Sequence, residues 1–232
     1  HDKAPLEISS EGILEFRELT YKKIPGLELK LDLFLPKNST QKTPCVIFIH
    51  GGAWRVHKRA SFESHAKYFA KRGIAAASID YRMLPGVETI LECIYDVKAA
   101  VRFIRANADK YGIDPNKIGA SGGSAGAHLS AILATSADIK ELNGEESDIS
   151  SRVQALVCFA LPAFTGRALG HNKKNFKKPA WFEKVSPYEY ISADDAPALC
   201  LHGSEDKSVP PEESKDFVRK YKEKGAYAEL EI

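Results

Sequence analysis

The stretch IGASGGSAGAHLSAILA, residues 118–134, decides the fold. Residues 117–123 read as a strand running into a glycine-rich corner, Ser124 stands at the tip, and 125–136 continue as an apolar helix. Gly122-Gly123-Ser124-Ala125-Gly126 fits G-x-S-x-G between strand and helix. In that shape a sharp turn holds a serine at a strained backbone angle with its hydroxyl exposed, and the flanking glycines leave room where side chains would collide. The helix N-terminus adds a field that favours developing negative charge.

Outward from that corner, strands and helices alternate. CVIFIH (45–50), IAAASIDYR (74–82), VQALVCFALP (153–162) and APALCLHG (196–203) are continuous apolar runs, the texture of strands covered on both faces. Between them, SFESHAKYFAKRG (61–73) and PEESKDFVRKYKEKG (211–225) have helical spacing and end in glycine. In 88–112, Ile90, Ile94, Val97, Val101 and Ile104 recur at threes and fours, which predicts one long amphipathic helix ending near Gly112. Upstream, EFRELTYKKI (15–24) and LELKLDLFLP (27–36) alternate with period two across Pro25-Gly26, an antiparallel hairpin. AYAELEI (226–232) is the last predicted strand. The pattern predicts one α/β domain over 1–232: a mostly parallel sheet, an N-terminal antiparallel hairpin, and helices on both faces. Residues 163–190 break the alternation and read as an excursion over the active site, carrying HNKKNFKKPAWFEK (171–184).

Composition excludes several classes. The net charge of +2 gives no footprint for nucleic acid or an anionic membrane, and no apolar run approaches the roughly 20 residues of a spanning helix. Cys45, Cys93, Cys158 and Cys200 lack CxxC spacing, and three of them fall in strand-like runs, so they read as buried reduced thiols. No cysteine or histidine pair has zinc-ligand spacing, so a zinc site is not expected.

Two more strand ends carry chemistry. FIHGGAW (48–54) places small residues after His50, so that the amides of Gly52 and Ala53 can converge with that of Ala125 on one oxyanion. His50 itself reads as a residue that shapes this loop. In LHGSEDKSVPP (201–211), Asp206 stands on the loop after a strand, where an acid would fix the tautomer of a catalytic histidine; Glu205 is the competing neighbour. Asp80-Tyr81-Arg82, with Asp96 near Arg102, reads as ion-pair and hydrogen-bond scaffolding.

With these pieces in order, the chain resembles the α/β-hydrolase fold, specifically the hormone-sensitive-lipase-like and bacterial feruloyl/acetylxylan-type esterases. HGGAW, IDYRML, YDVKAAVRFIRANADKYGIDPNKIGASGGSAGAHLSA, SPYEYISADDAPALCLHGSEDKSVPPEES and YKEKGAYAELEI carry the resemblance, from about residue 28 onward. It implies Ser124 as nucleophile, the loop after HGG as oxyanion hole, Asp206 as acid, no cofactor, and a carboxylic ester as substrate. Short acyl esters, including acetyl or feruloyl groups on carbohydrate, are the expected class.

The resemblance also implies a catalytic histidine on a loop following the strand AYAELEI, which is the last segment of the sequence. The expectation is therefore of a C-terminal end that stops short of the base and leaves one face of the last strands bare. His171, in the excursion, is the least implausible substitute. A hydrolase-fold binding protein without efficient turnover is the alternative.

Overall fold

A computed structural model describes residues 6–8, 12–84, 86, 89–164 and 182–232. The strands and helices, in chain order, are β1 (Leu6–Ile8), β2 (Ile13–Ile24), β3 (Leu27–Pro36), β4 (Thr43–Ile49), α1 (Glu63–Ala70), β5 (Ala75–Ile79), α2 (Ile90–Ala106), α3 (Ala108–Tyr111), β6 (Ile113–Gly123), α4 (Ala125–Thr135), β7 (Ala155–Phe159), β8 (Ala198–Leu201), α5 (Pro211–Glu223) and β9 (Ala228–Glu231). The strands form one sheet in the order β1-β2-β3-β5-β4-β6-β7-β8-β9. Pairing is antiparallel from β1 through β3 to β5, and parallel from β5 to β9. The predicted hairpin is β2 and β3, closed at Ile24↔Leu27 with Gly26 at φ +77°.

Helices cover both faces, as the sequence predicts. Under α1, Phe34, Phe48 and Ala76 pack with Ala66 and Ala70. The larger core lies on the other face, where α2, α4 and α5 press Val97, Val101, Leu129, Leu133, Phe217 and Tyr221 onto the sheet. On the α1 side, β7 and β8 present Ala155, Val157, Phe159, Leu199 and Leu201, and Phe159 is 38% exposed. All four cysteines are buried and free, and burial pushes the Cys45 and Cys93 thiols up to about 12.

The long helix predicted over 88–112 is divided. Thr89 caps α2 by accepting the Leu91 amide at 3.2 Å, a contact typically worth about 1 kcal/mol. At Asn107 the side chain donates to the Phe103 carbonyl at 2.8 Å and the backbone leaves the helical region, so α3 starts as a separate turn. Gly112, at φ 64° and ψ 32°, then ends α3 in the left-handed conformation. The expected Asp96–Arg102 pairing is not made. Asp96, wholly buried, pairs with Arg82 (2.8 Å) and Lys22 (3.0 Å), while Arg102 reaches Glu145 and the Asn143 carbonyl. Six residues apart on a helix, the two side chains face different directions.

Candidate active site

The parallel register brings the predicted residues to one edge. Ile49 of β4 pairs with Gly122, Gly123 of β6 with Phe159, and Phe159 of β7 with Leu201, so β4, β6, β7 and β8 end together. Ser124 emerges one residue after β6 and Asp206 on the loop after β8. Two strand spacings separate β6 from β8, about 9.5 Å, a gap that one hydrogen-bonded imidazole spans. This is the carboxyl edge, where open α/β sheets place their ligand sites.

Ser124 has φ 53° and ψ −119°, a conformation that costs a residue with a Cβ on the order of 1–3 kcal/mol. It is held there from both sides. Its amide donates to the Phe159 carbonyl at 2.8 Å, and its own carbonyl accepts the His128 amide at 3.0 Å, the first bond of α4. The glycines explain themselves by contact. A Cβ on Gly122 would stand 2.5 Å from the Ile49 oxygen, one on Gly126 2.0 Å from the same oxygen, and one on Gly51 2.7 Å from the Gly123 oxygen. Helix α4 crosses the end of β4 too closely for any side chain there.

The loop after β4 is left-handed for several residues: Gly52 at φ 102°, Ala53 at 53°, Trp54 at 57° and His57 at 87°. Arg55 and Val56 donate back to the Gly52 carbonyl, closing a tight turn. Among the described residues, no acceptor takes the Gly52 or Ala53 amide, and the Ala125 amide is one of the unsatisfied donors that open α4. Three unspent N–H groups thus lie on the segments that meet at Gly51 and Ser124.

Asp206 is fixed by its own loop. Its Oδ1 accepts the Ser208 amide at 2.8 Å and the Val209 amide at 3.0 Å, and these bonds, Val209's first, hold its carboxyl below the usual carboxylate range. His202 lies behind it, buried, bonded to Ser214 Oγ (2.7 Å) and to the Val209 carbonyl (2.9 Å), with Asp206 Oδ2 at 3.6 Å. Glu205, its neighbour, is exposed.

Two of the other described histidines are committed elsewhere. His50 is buried, donates from Nδ1 to the Gly51 carbonyl at 2.9 Å and stacks on Tyr81; burial holds its pKa down. His128 donates from Nε2 to the Val185 carbonyl at 2.7 Å, and complete burial lowers it to about 4. His65 is exposed on α1, and His57 is exposed in the left-handed loop. None of these five hydrogen-bonds to Ser124. His171 and most of the 163–190 excursion lie outside the described residues. Among the described residues, no group of three or more His, Cys, Asp or Glu stands together as a metal site.

Two contributions escaped the sequence. The Phe159 carbonyl anchors the Ser124 amide from β7, and nothing in VQALVCFALP marks it. Ser78, Tyr81 and Leu84 bond directly to residues 59, 50 and 54, where the sequence showed only Asp80-Tyr81-Arg82 as scaffolding.

This arrangement has close counterparts. The family model BD-FAE matches residues 31–221. Among curated proteins, the isoprenylcysteine alpha-carbonyl methylesterase ICME of Arabidopsis thaliana is 32% identical, over 87% of this chain and 51% of its own length. Esterase LipC of Mycobacterium tuberculosis is 32% identical over 82% of this chain and 51% of its own. The chain thus spans about half the length of the curated relatives it matches. Among solved structures, Thermogutta terrifontis esterase 2 phosphorylated by paraoxon superposes with a TM-score of 0.80 at 32% identity, covering 95% of this chain and 81% of that one. The propionate-bound form of that esterase superposes with a TM-score of 0.80 at 30% identity, covering 99% and 82%.

Proposed function

This chain belongs to the BD-FAE family, and on that premise we propose that it is a serine carboxylesterase acting on esters of short acyl groups. The observation that carries the reading is Ser124, held at φ 53° between β6 and α4 beside Gly51, the residue that opens the left-handed β4 loop. A serine held at a strained angle on a strand-to-helix corner, half-buried at the N-terminus of α4, suits a nucleophile.

In the reaction, Ser124 Oγ attacks the ester carbonyl and passes its proton to an imidazole. The amides of Gly52, Ala53 and Ala125 hold the tetrahedral oxyanion, and the alcohol leaves with that proton. Water, deprotonated by the same imidazole, then releases the acid and frees Ser124. Asp206 fixes the imidazole's tautomer and stabilises its cation. The five described histidines do not occupy that position, and this favours a second reading, a hydrolase-fold protein that binds its ligand without efficient turnover.

For the acyl group, the propionate and butyrate forms of the Thermogutta esterase support a short chain. Acetyl esters are the first substrates we assign, as small molecules or on polysaccharide, with feruloyl groups on carbohydrate next. The test pairs paraoxon labelling, read by peptide mass mapping, with 4-nitrophenyl acetate hydrolysis beside Ser124→Ala. A phosphoryl adduct on the Ser124 peptide with Ser124-dependent turnover is expected. An adduct without turnover selects the binding reading, and neither adduct nor turnover overturns the esterase.

A further inference from the structure

The left-handed run Gly52-Ala53-Trp54 is unfavourable for its two non-glycine residues, and a backbone of that kind persists only where its surroundings over-determine it. The bonds on either side of the run come from one short segment at the end of β5. At the upstream end, the Tyr81 hydroxyl donates to the His50 carbonyl at 3.0 Å, while its ring stacks on the His50 ring at 4.3 Å and 18°. In the middle, the Leu84 amide donates to the Trp54 carbonyl at 2.7 Å. At the downstream end, Asp80 accepts the Arg59 amide at 3.0 Å and pairs with the Arg59 guanidinium, and the Ser78 hydroxyl donates to the Arg59 carbonyl.

The segment is itself anchored. Tyr21 of β2 donates to the Asp80 carbonyl at 2.6 Å, the Asp80 amide donates to the Lys30 carbonyl at 2.9 Å, and Arg59 also pairs with Asp32 and Glu18. The His50 carbonyl that Tyr81 holds is a backbone group against which α4 crosses; a Cβ on Gly126 would come within 2.8 Å of it. One end of the clamp therefore sits where the β4 loop and the Ser124 helix touch.

We propose that Asp80 and Tyr81 are positioning residues for the oxyanion loop, gripping residues 50–59 at both ends so that the Gly52 and Ala53 amides stay aimed at the carbonyl under attack. This rests on the esterase reading above and names the part of the fold that sets its transition-state geometry. Neither side chain touches substrate; both act through the loop.

Tyr81→Phe keeps the buried ring and removes only the hydroxyl, Asp80→Asn removes the charge opposite Arg59, and Arg59→Met removes the guanidinium pairs with Asp80, Asp32 and Glu18 while leaving the Arg59 backbone bonds in place. Two readouts are taken on the whole chain: amide hydrogen exchange of peptides spanning 50–59, and kcat and KM for 4-nitrophenyl acetate. Each single variant is expected to speed exchange of that stretch by about tenfold, the scale of one lost buried hydrogen bond. It is expected to lower kcat by about tenfold while KM moves less than about twofold, short of the 10²–10³ that deleting an oxyanion donor costs. Cooperative unfolding with an unchanged exchange rate at 50–59 overturns the clamp. Faster exchange with unchanged kcat overturns its catalytic role. A wild-type chain that neither turns over ester nor labels at Ser124 overturns the esterase reading, and the exchange comparison still decides the clamp.

Discussion

Gly126, in the first turn of α4, lies so close to the end of β4 that a Cβ on it would stand 2.0 Å from the Ile49 carbonyl oxygen. Backbone, not a flexible side chain, is what it would strike. In an open helix, glycine to alanine gains about 1 kcal/mol. Here overpacking against a buried strand costs about 1–3 kcal/mol and must first cancel that gain. Gly126→Ala is therefore expected to lower the free energy of unfolding in urea, whereas Gly203→Ala, with nothing within 4 Å of its Cβ, stays within about 0.5 kcal/mol of the parent. A more stable Gly126→Ala variant would show that α4 can slide off β4.

Ser124 yields a prediction of opposite sign. Its φ of 53° with ψ of −119° is strained for serine and ordinary for glycine. Ser124→Gly releases strain on the order of 1–3 kcal/mol and loses about 0.5–1 kcal/mol to the greater freedom of an unfolded glycine. The net expectation is a melting temperature above both wild type and Ser124→Ala, with all Ser124-dependent hydrolysis gone. If glycine melts no higher than alanine, the corner stores no strain.

The legible part of this fold was the part governed by local pattern. Apolar runs and glycine stops located the parallel strands, and period two located β2 and β3, because each strand's burial is written into its own residues. The corner at Ser124 and the loop after His50 were legible because close backbone approach leaves glycine little competition, as Gly51, Gly122 and Gly126 show. Partner choice was not legible. Asp96 selects Arg82 and Lys22 over Arg102 because the segment after β5 and hairpin strand β2 arrive beside α2 only after the sheet assembles. Tyr81 looks like any strand-end tyrosine until its hydroxyl is seen on His50.

Lys98 gives stability a pH dependence on the alkaline side. Its ammonium, with no exposed surface, donates to the Ser136 carbonyl at the end of α4 and to Asn143, and burial lowers its pKa from 10.5 to about 7. Between pH 7 and 10.5 the unfolded chain binds this proton and the native chain does not, so stability rises with pH across that window, by at most about 1.4 kcal/mol per unit. Below pH 7 both forms are protonated and the contribution is flat. Lys98→Met is expected to remove this slope when unfolding free energies at pH 7, 8 and 9 are compared. A parallel pair of curves would mean Lys98 keeps its proton throughout.

On the acid side His128 acts in the same sense. Complete burial lowers it from 6.5 to about 4, so between those values only the unfolded chain is protonated and stability is lost as pH falls through the window. His128→Gln, which can still donate to the Val185 carbonyl, is expected to flatten denaturation curves between pH 6 and 4.5. A wild-type slope retained by the variant would place the acid sensitivity in the carboxylates instead.

Asp206 separates a structural role from a chemical one within a single side chain. Oδ1 closes the loop by accepting the Ser208 and Val209 amides, and an asparagine carbonyl still accepts both, without the charge. Asp206→Asn removes the negative charge, including that on Oδ2, which lies 3.6 Å from His202 Nε2. That variant is expected to unfold within about 0.5 kcal/mol of wild type, while Asp206→Ala, losing both bonds, falls by about 1–2 kcal/mol. Activity should sort differently. With no carboxylate to fix the tautomer, both variants are expected to lose Ser124-dependent hydrolysis, by up to about 10⁴ for the amide as in a serine protease. Full activity in Asp206→Asn would move the acid elsewhere, with the exposed Glu205 the next side chain to replace.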